Sequence, residues 1–224
     1  MTQPKHVLVG VDGSASSGWA LEWAFAAARK RGWALRVLCS YSLPSFTAAS
    51  LDGGYAALDD GAIRASAQGA LDGAVAQVSG RGVEVSGVLE TGDAAGALIE
   101  ASGEAGLAVV GTRGGGGFTD RLLGTVSTAL PAHARCPVVV VPLRSEDSQE
   151  PFGPPRKIVV GVDGSPSARI ALHAAVAEAA LWGAELTAVA GVPLSHGAGM
   201  LAWLPAAIDR GQVLADVQAG LEVM

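Results

Sequence analysis

The feature that most constrains this 224-residue chain is an internal repeat. The segment His6–Ser14 (HVLVGVDGS) returns as Lys157–Ser165 (KIVVGVDGS), at an offset of 151 residues that also pairs Gly32 with Gly183. No gap is needed to continue this alignment from residue 6 to residue 38. Because self-similarity at a fixed offset marks a duplicated structural unit, the sequence predicts two copies of one fold.

The first copy alternates short apolar segments with helical ones. We predict strands at residues 6–11, 35–41, 83–89, 107–111 and 138–141, and helices at 14–31, at 63–78, from 91 to near 103, and from 125 onward. Strands that alternate with helices favour parallel pairing. The expected fold class is therefore α/β, a doubly wound five-stranded parallel sheet with helices on both faces.

The first of these helices shows a clear periodicity. Trp19, Trp23, Ala26, Ala27 and Lys30 recur every three or four residues, and Gly32 provides the C-terminal stop. Tryptophans at this spacing are expected to pack in the core or in an interface, and not to stack on a base.

The second copy is expected to be incomplete. We predict a first domain at 1–143, an acidic, proline-containing linker at 144–155, and a partial second domain at 156–224 with strands at 158–162 and 186–191 and helices at 165–182 and from near 205. With equal copies, everything after residue 73 of the first has no counterpart in the second. Three of the five strands, and the glycine-rich loop described below, are then missing from it.

Composition excludes several classes of protein. Half of the residues are hydrophobic and 16% are charged, which is unlike a disordered chain. The net charge of −6 and the lack of a basic patch argue against nucleic acid as a partner. The start has no apolar signal segment, and charges interrupt the longest apolar stretch, 170–192, so we expect a cytoplasmic protein with no membrane partner. The two cysteines, Cys39 and Cys136, are expected to be buried, and the four scattered histidines offer no metal site.

A glycine pattern follows the fourth predicted strand. Gly111-Thr-Arg-Gly114 is followed by nine residues and then by Gly124-Thr125, where a helix begins. Glycines let a backbone turn tightly and approach a ligand closely. The first amides of that helix, on Gly124, Thr125, Val126 and Ser127, are expected to receive an anion, assisted by the helix dipole, by the Thr125 and Ser127 hydroxyls and by Arg113.

The topology points to the same place. In open parallel sheets, ligands bind beyond the carboxyl ends of strands where the strand order reverses. Asp12 ends the first strand, and the loop at Gly111 ends the fourth, so we expect the two to face each other. A structural alternative stays open for Asp12-Gly13-Ser14, which also suits a helix cap. The second copy keeps the same trio at Asp163 without the loop.

These segments resemble the universal stress protein family in its tandem-domain form, with a shortened second domain. The resemblance covers residues 5–142 and, in part, 156–224. The family's nucleotide motif, Gly-x2-Gly-x9-Gly-[Ser/Thr], is met by Gly111, Gly114, Gly124 and Thr125. The opening VGVDGS and the closing CPVVVV at 136–141 are also similar to the family.

The resemblance implies that the first domain binds ATP, with or without Mg, as a regulatory stress-response protein. It implies the following ligand residues: Gly10, Asp12, Ser40, Val110, Gly111, Arg113, Gly114, Gly124, Thr125, Val126 and Ser127. It also implies that domains pair through the fifth strand. Because the second copy has no fifth strand to offer, we predict a homodimer through residues 137–142.

Other functions fit the sequence less well. The chain has no Gly-Lys-[Ser/Thr] loop, dinucleotide fingerprint or nucleophile elbow. It also has no His-x-Gly-His or Ser-Gly-Gly-x-Asp-Ser signature of an adenylate-transferring enzyme. We therefore expect a regulatory module whose nucleotide controls oligomerisation or an unidentified protein partner, with slow ATP hydrolysis at most. The alternative is an interaction module that works without nucleotide.

Overall fold

The computed structural model describes residues 5–42, 60–114, 123–143 and 154–191, and the chain divides into two compact units, residues 1–153 and 154–224. In the first unit the strands are β1 (His6–Gly10), β2 (Ala34–Tyr41), β3 (Val85–Thr91), β4 (Leu107–Gly111) and β5 (Val138–Val141). The helices of this unit are α1 (Ala15–Arg31), α2 (Asp60–Val78), α3 (Ala94–Ala101) and α4 (Thr125–His133). None of the described helices is long and apolar enough to cross a membrane.

The five strands form one parallel sheet in the order β3-β2-β1-β4-β5. Helix α2 covers one face, where Leu71 and Val75 lie against Gly87 of β3. Gly87 is in register with Val37, so the neighbouring Leu38 points to the other face, where it clusters with Leu98 of α3. The predicted doubly wound five-stranded fold is confirmed. The strand order reverses between β1 and β4, which fixes where a ligand cleft can open.

The core lies along the central strands. Val7, Leu8 and Val9 of β1 and Val109 of β4 have no exposed surface, as expected for parallel strands covered on both faces. On the α3 and α4 side, Leu8 packs with Leu98 and Leu130. This packing places Leu98 of α3 and Leu130 of α4 against the same face of the sheet as Leu8.

The predicted helix α1 is confirmed, and its buried face consists mainly of alanines. The residues with almost no exposed surface are Ala20, Leu21, Ala24, Phe25, Ala27 and Ala28. Trp19, Trp23 and Ala26 are half-buried and Lys30 is exposed, so among the residues chosen from the spacing only Ala27 belongs to the core. Alanine at the contact allows the helix axis to approach the sheet closely, and the bulkier indoles are left at the margin of the contact.

Most predicted boundaries are correct to within one or two residues. The third strand is displaced, running from Val85 to Thr91 where 83–89 was expected. Gly80 and Gly82, both with positive φ (72° and 83°), form the turn that delays its start. Helix α2 begins at Asp60, three residues before the predicted start.

In the second unit the described elements are β6 (Lys157–Val162), α5 (Pro166–Trp182) and β7 (Glu185–Ala190). The two strands are parallel, and this small sheet fits an incomplete second copy. The repeat extends to the backbone: Gly32 and Gly183 end their helices with φ of 65° and 68°. The helix predicted from 205 and most of the linker, 144–153, lie outside the described residues.

Candidate functional site

A cavity of about 680 Å³ lies beyond the carboxyl ends of β1 and β4, where the strand order reverses. This volume is within the range of about 300–1,000 Å³ that is typical of small-molecule sites. All eleven residues named from the sequence line it: Gly10, Asp12, Ser40, Val110, Gly111, Arg113, Gly114, Gly124, Thr125, Val126 and Ser127. The fold thus brings together residues that are separated by more than a hundred positions in the chain.

Asp12 links the end of β1 to the loop after β4. Its Oδ1 accepts hydrogen bonds from the Ser14 amide (3.0 Å) and the Ser14 hydroxyl (2.6 Å). Its Oδ2 lies against Gly114, where an added Cβ would collide with it. The expectation that Asp12 faces the glycine loop is confirmed. The alternative, that Asp12-Gly13-Ser14 forms the start of a helix, is confirmed as well. Asp12 Oδ1 accepts the hydrogen bonds that hold the turn before α1.

The second unit repeats this turn without the glycine loop. The Ser165 amide donates to Asp163 Oδ1 at 2.9 Å, as the Ser14 amide does to Asp12. The hydrogen bonds from the Ser165 side chain and backbone hold the pKa of the Asp163 carboxyl below its usual range. The Asp-Gly-Ser trio is therefore a helix-starting device in both units, and it does not by itself indicate a ligand site.

Two of the three motif glycines lie in close contact with other atoms of the protein itself. A Cβ at Gly111 would collide with Ser16 of α1, with the Ser16 carbonyl oxygen only 2.7 Å away. A Cβ at Gly114 would collide with the Asp12 carboxylate. The expected close approach thus exists at both positions, but the partner is the protein and not a ligand.

Gly124 is different from both. Its φ of −80° and ψ of 174° are extended backbone that any residue adopts. The atoms nearest to an added Cβ are 3.5 Å or more away, which is ordinary van der Waals contact. No contact or strain among the described residues requires glycine here.

Gly124 is the N-cap of α4 and provides no side-chain cap. The amides of Thr125, Val126 and Ser127 have no acceptor within the helix, because the first turn of a helix cannot supply one. The Gly124 amide was expected to be a fourth donor, and this is wrong: it donates to the Thr112 carbonyl at 2.8 Å. Three backbone donors therefore sit at the positive end of the helix dipole.

The side chains beside these amides have separate roles. Ser127 is buried, and its hydroxyl lies 2.8 Å from the Thr112 carbonyl and 3.0 Å from that of Gly124, so its proton is used within the loop. The expectation that this hydroxyl donates to an anion is wrong. Thr125 and Arg113 are exposed at the cavity, and no salt bridge ties the Arg113 guanidinium to the described residues. Both side chains are available to a ligand.

The opposite end of the cavity is apolar. Leu38, Leu98 and Val110 line it and are almost fully buried, and Ser40 adds one hydroxyl. Gly10 fits here because a Cβ would lie 2.8 Å from Leu98 Cδ1. One charged group of each sign, Asp12 and Arg113, is present among the described lining residues. The cavity thus has an apolar half and a half rich in hydrogen-bond donors.

Several lining residues were missed by the sequence analysis, among them Ser16, Leu98 and Thr112. Thr112 lies inside the glycine motif, and its position there could have identified it, whereas nothing in the sequence distinguishes Ser16 or Leu98 from other helix residues.

Cys39 is buried near Asp12. Burial first, and then the Asp12 charge, raises the pKa of its thiol, and burial likewise raises the pKa of Cys136. In the described part of the chain, no cluster of three His, Cys, Asp or Glu side chains forms a metal site.

Comparison with known proteins gives consistent results. The model of the universal stress protein family matches residues 4–142 and 155–212. A universal stress protein of Mycobacterium tuberculosis is 33% identical over 201 residues, covering 82% of this chain and 61% of the relative. Another from the same organism is 38% identical over 126 residues, covering 55% and 41%. The chain thus spans about three fifths, or less, of the length of these curated relatives.

Solved structures support the fold. A universal stress protein from Archaeoglobus fulgidus covers 99% of this chain and 74% of its own, with a TM-score of 0.67 and 21% identity. UspA from Lactobacillus plantarum covers 63% of this chain and 99% of its own, with a TM-score of 0.51 and 21% identity. At this level of identity, both comparisons concern the arrangement of helices and strands alone.

Proposed function

The chain belongs to the universal stress protein family, in its tandem form, and on that premise we propose that its first unit binds an adenine nucleotide, ATP above all, in the cavity at the ends of β1 and β4. The sequence motif and its resemblance to the family suggest the ligand. The geometry of the cavity supports the placement of its phosphates.

The observation that carries the proposal is the bare start of α4. The helices α1, α3 and α5 begin with a side-chain oxygen from Ser14, Asp93 and Ser165, each of which accepts a hydrogen bond from the first turn. Among the described helices with a defined N-cap, α4 alone lacks this oxygen and has Gly124 instead. A phosphate group would supply the missing acceptor to the amides of α4, and the helix dipole favours its negative charge.

The rest of the cavity suits the rest of a nucleotide. In the proposed pose, the base occupies the apolar end beside Leu38 and Leu98, and the ribose lies near Asp12, whose Oδ2 faces the cavity loop. Arg113 adds a charge-assisted hydrogen bond to the phosphates. Asp12 is the single carboxylate among the described lining residues, so an accompanying Mg would be held chiefly by the phosphates themselves.

We propose a regulatory role and not an efficient catalytic one. The described lining residues include no histidine, lysine or cysteine beside the α4 amides, and Asp12 is already engaged by Ser14. A water near the phosphates would thus lack a strong general base, and hydrolysis would be slow at most. In this account, occupancy of the cavity controls assembly or the binding of a protein partner in the cytoplasm.

The assembly surface in this proposal is the edge strand β5, as a homodimer through residues 137–142. Among the described strands, β5 lies at the end of the order and pairs with β4 alone. The Pro137 carbonyl accepts from Ala108 of β4, and the Val141 carbonyl accepts from Thr112, directly after β4. Because polar groups alternate along a strand, those of Val138 and Val140 point away from the sheet. An edge strand with unpaired amides and carbonyls of this kind pairs readily with another strand.

An interaction module that works without nucleotide is the second candidate, and the second unit favours it. There, Val159 is 59% exposed, whereas Leu8 at the same position of the first unit is fully buried. Ile170 and Val189 are exposed as well. We propose that the first domain, 1–143, binds the nucleotide. A linker, 144–155, joins it to the second domain, 156–224, which carries the exposed apolar side chains.

The test of the proposal begins with the purified chain. The protein is denatured, any released nucleotide is identified by mass spectrometry, and the emptied protein is titrated with ATP–Mg and GTP–Mg by calorimetry. Uptake of about one ATP per chain, abolished in Gly124→Val, supports the nucleotide site. No uptake at millimolar ATP, with partner binding unchanged in Gly124→Val, would establish the second candidate.

A further inference from the structure

Thr112 is hydrogen-bonded to two different parts of the first unit. On one side, its carbonyl accepts the Gly124 amide and the Ser127 hydroxyl, each at 2.8 Å. On the other side, its amide donates to the Val141 carbonyl at 3.0 Å. Its Oγ1 also accepts the Leu143 amide at 3.3 Å. One residue thus joins the start of α4 to the last residues of the edge strand.

We infer that Thr112 is a positioning residue that couples occupancy of the α4 amides to the C-terminal end of β5. This inference rests on the proposed nucleotide site and adds the route by which the site controls the edge. The route is short, because Thr112 directly follows β4 and lies between the two elements it contacts.

The coupling follows from the hydrogen bonds on both sides of Thr112. A phosphate on the amides of Thr125, Val126 and Ser127 restrains the first turn of α4. Gly124 and Ser127 belong to this turn, so the Thr112 carbonyl that they share is restrained with them. The Thr112 carbonyl and amide belong to two peptide units that meet at the Thr112 Cα, and only the torsions φ and ψ separate them. With the carbonyl held by α4 and the amide held by Val141, both torsions are restrained, and the Thr112 side chain keeps its direction toward Leu143.

The element that changes state is the hydrogen bond from Leu143 to Thr112. At 3.3 Å it is longer than a typical N–H···O bond of about 2.9–3.0 Å, so it is easily opened and has room to shorten. Leu143 is exposed at the rim of the cavity and directly follows Pro142, which has no amide of its own. The amide of Leu143 is therefore the next donor after Val141 that can fasten the end of β5.

Two substitutions separate the hydroxyl from the shape of the side chain. Thr112→Val keeps the size and branching but removes Oγ1, whereas Thr112→Ser keeps the oxygen. The exchange rate of the Leu143 amide is measured by NMR with and without ATP–Mg, at a concentration that saturates each variant in its own calorimetric titration. The dimer dissociation constant is measured by sedimentation under the same conditions.

We expect ATP to slow exchange of the Leu143 amide, and to shift the dimer dissociation constant, by about fivefold or more in the wild type and in Thr112→Ser. In Thr112→Val both effects should disappear at saturation. Equal ATP effects in Thr112→Val and Thr112→Ser would overturn the coupling while leaving the nucleotide site intact. A wild type that binds no ATP would overturn the nucleotide site and the coupling with it. If Thr112→Val does not fold, Thr112→Ala removes the same oxygen together with the methyl group, and the same outcomes apply.

Discussion

The carbonyl oxygen of Ser16 in α1 lies so close to Gly111 that a Cβ on the glycine would be 2.7 Å from it. Helix α1 thus crosses the end of β4 at the first glycine of the nucleotide motif. The motif combines two requirements, because Gly111 and Gly114 accommodate the protein's own atoms, whereas Gly124 leaves space open. Substitutions at the three glycines should therefore have different consequences.

Gly111→Ala is expected to lower the free energy of unfolding by about 1–3 kcal/mol, as overpacking does. Ser16→Gly should not restore it, because the backbone carbonyl of residue 16 remains in place. The matched control is Gly69→Ala in α2, where an added Cβ meets nothing within 4 Å and helix propensity improves. The free energy of unfolding of each variant is measured by urea titration. Equal midpoints for the two alanine variants would contradict this packing account.

Ser127→Ala is expected to cost about 1 kcal/mol of stability, because it removes a buried hydroxyl that donates to the Thr112 carbonyl. A looser loop should also weaken ATP binding by up to about tenfold, or about 1.4 kcal/mol. Thr128→Ala is the control, since this exposed hydroxyl also donates to the Gly124 carbonyl, at 2.9 Å. We expect it to change both quantities less, and calorimetry with thermal unfolding compares the pair. A larger effect at Thr128 would argue against the role assigned to Ser127.

Stability should fall in mild acid because of His6. The His6 side chain is buried and its Nε2 has no hydrogen-bond partner among the described residues. Burial first, and then the Arg36 charge, lowers its pKa below 6.5, while Glu104 opposes this shift. The unfolded chain therefore takes up a proton before the native state does. The His6 contribution to stability is complete above pH 6.5 and is lost as the pH falls from there toward the lowered native pKa.

His6→Gln should flatten this pH dependence. Unfolding free energies of wild type and variant are measured by urea titration at several pH values between 7.5 and the acid limit of the wild type. The wild type is expected to lose up to about 1.4 kcal/mol per pH unit more than the variant within the titration window. Parallel curves would show that His6 does not contribute.

Val140→Pro is expected to prevent pairing through β5 while leaving the sheet intact. The Val140 amide points away from β4, so proline removes an outward donor and adds bulk at the edge. The control is Val139→Pro, which removes an inward donor and should destabilise the β4–β5 pair. Light scattering reports the oligomeric state of each variant, and thermal unfolding reports its stability. A dimer that persists in Val140→Pro would place the assembly surface elsewhere.

Much of this molecule was predictable because its signals are local. The repeat of Asp-Gly-Ser predicted the same turn and cap twice, and Ser14 and Ser165 each accept an amide of the following first turn. The alternation of strands and helices sufficed to predict the doubly wound sheet. Within the glycine loop, the pattern identified the residues that line the cavity.

What the sequence could not show depends on contacts between distant segments. The buried face of α1 depends on how closely the sheet approaches, so alanines take the core positions and Trp19 and Trp23 the margin. The Gly124 amide looked free because its acceptor, Thr112, is twelve residues earlier across a loop. Spacing along one helix contains neither kind of information.

The most direct test of the nucleotide site is ATP titration of Gly124→Asp. An aspartate at this N-cap position would turn its carboxylate onto the first-turn amides, which suits a helix start as well as glycine does or slightly better. We therefore expect unchanged or higher thermal stability together with a loss of ATP affinity of at least about a hundredfold, roughly 2.7 kcal/mol. Gly124→Ala, which brings no acceptor oxygen, should retain measurable binding. If Gly124→Asp folds normally and binds ATP as tightly as the wild type, the α4 amides do not hold the phosphates and the central claim is wrong.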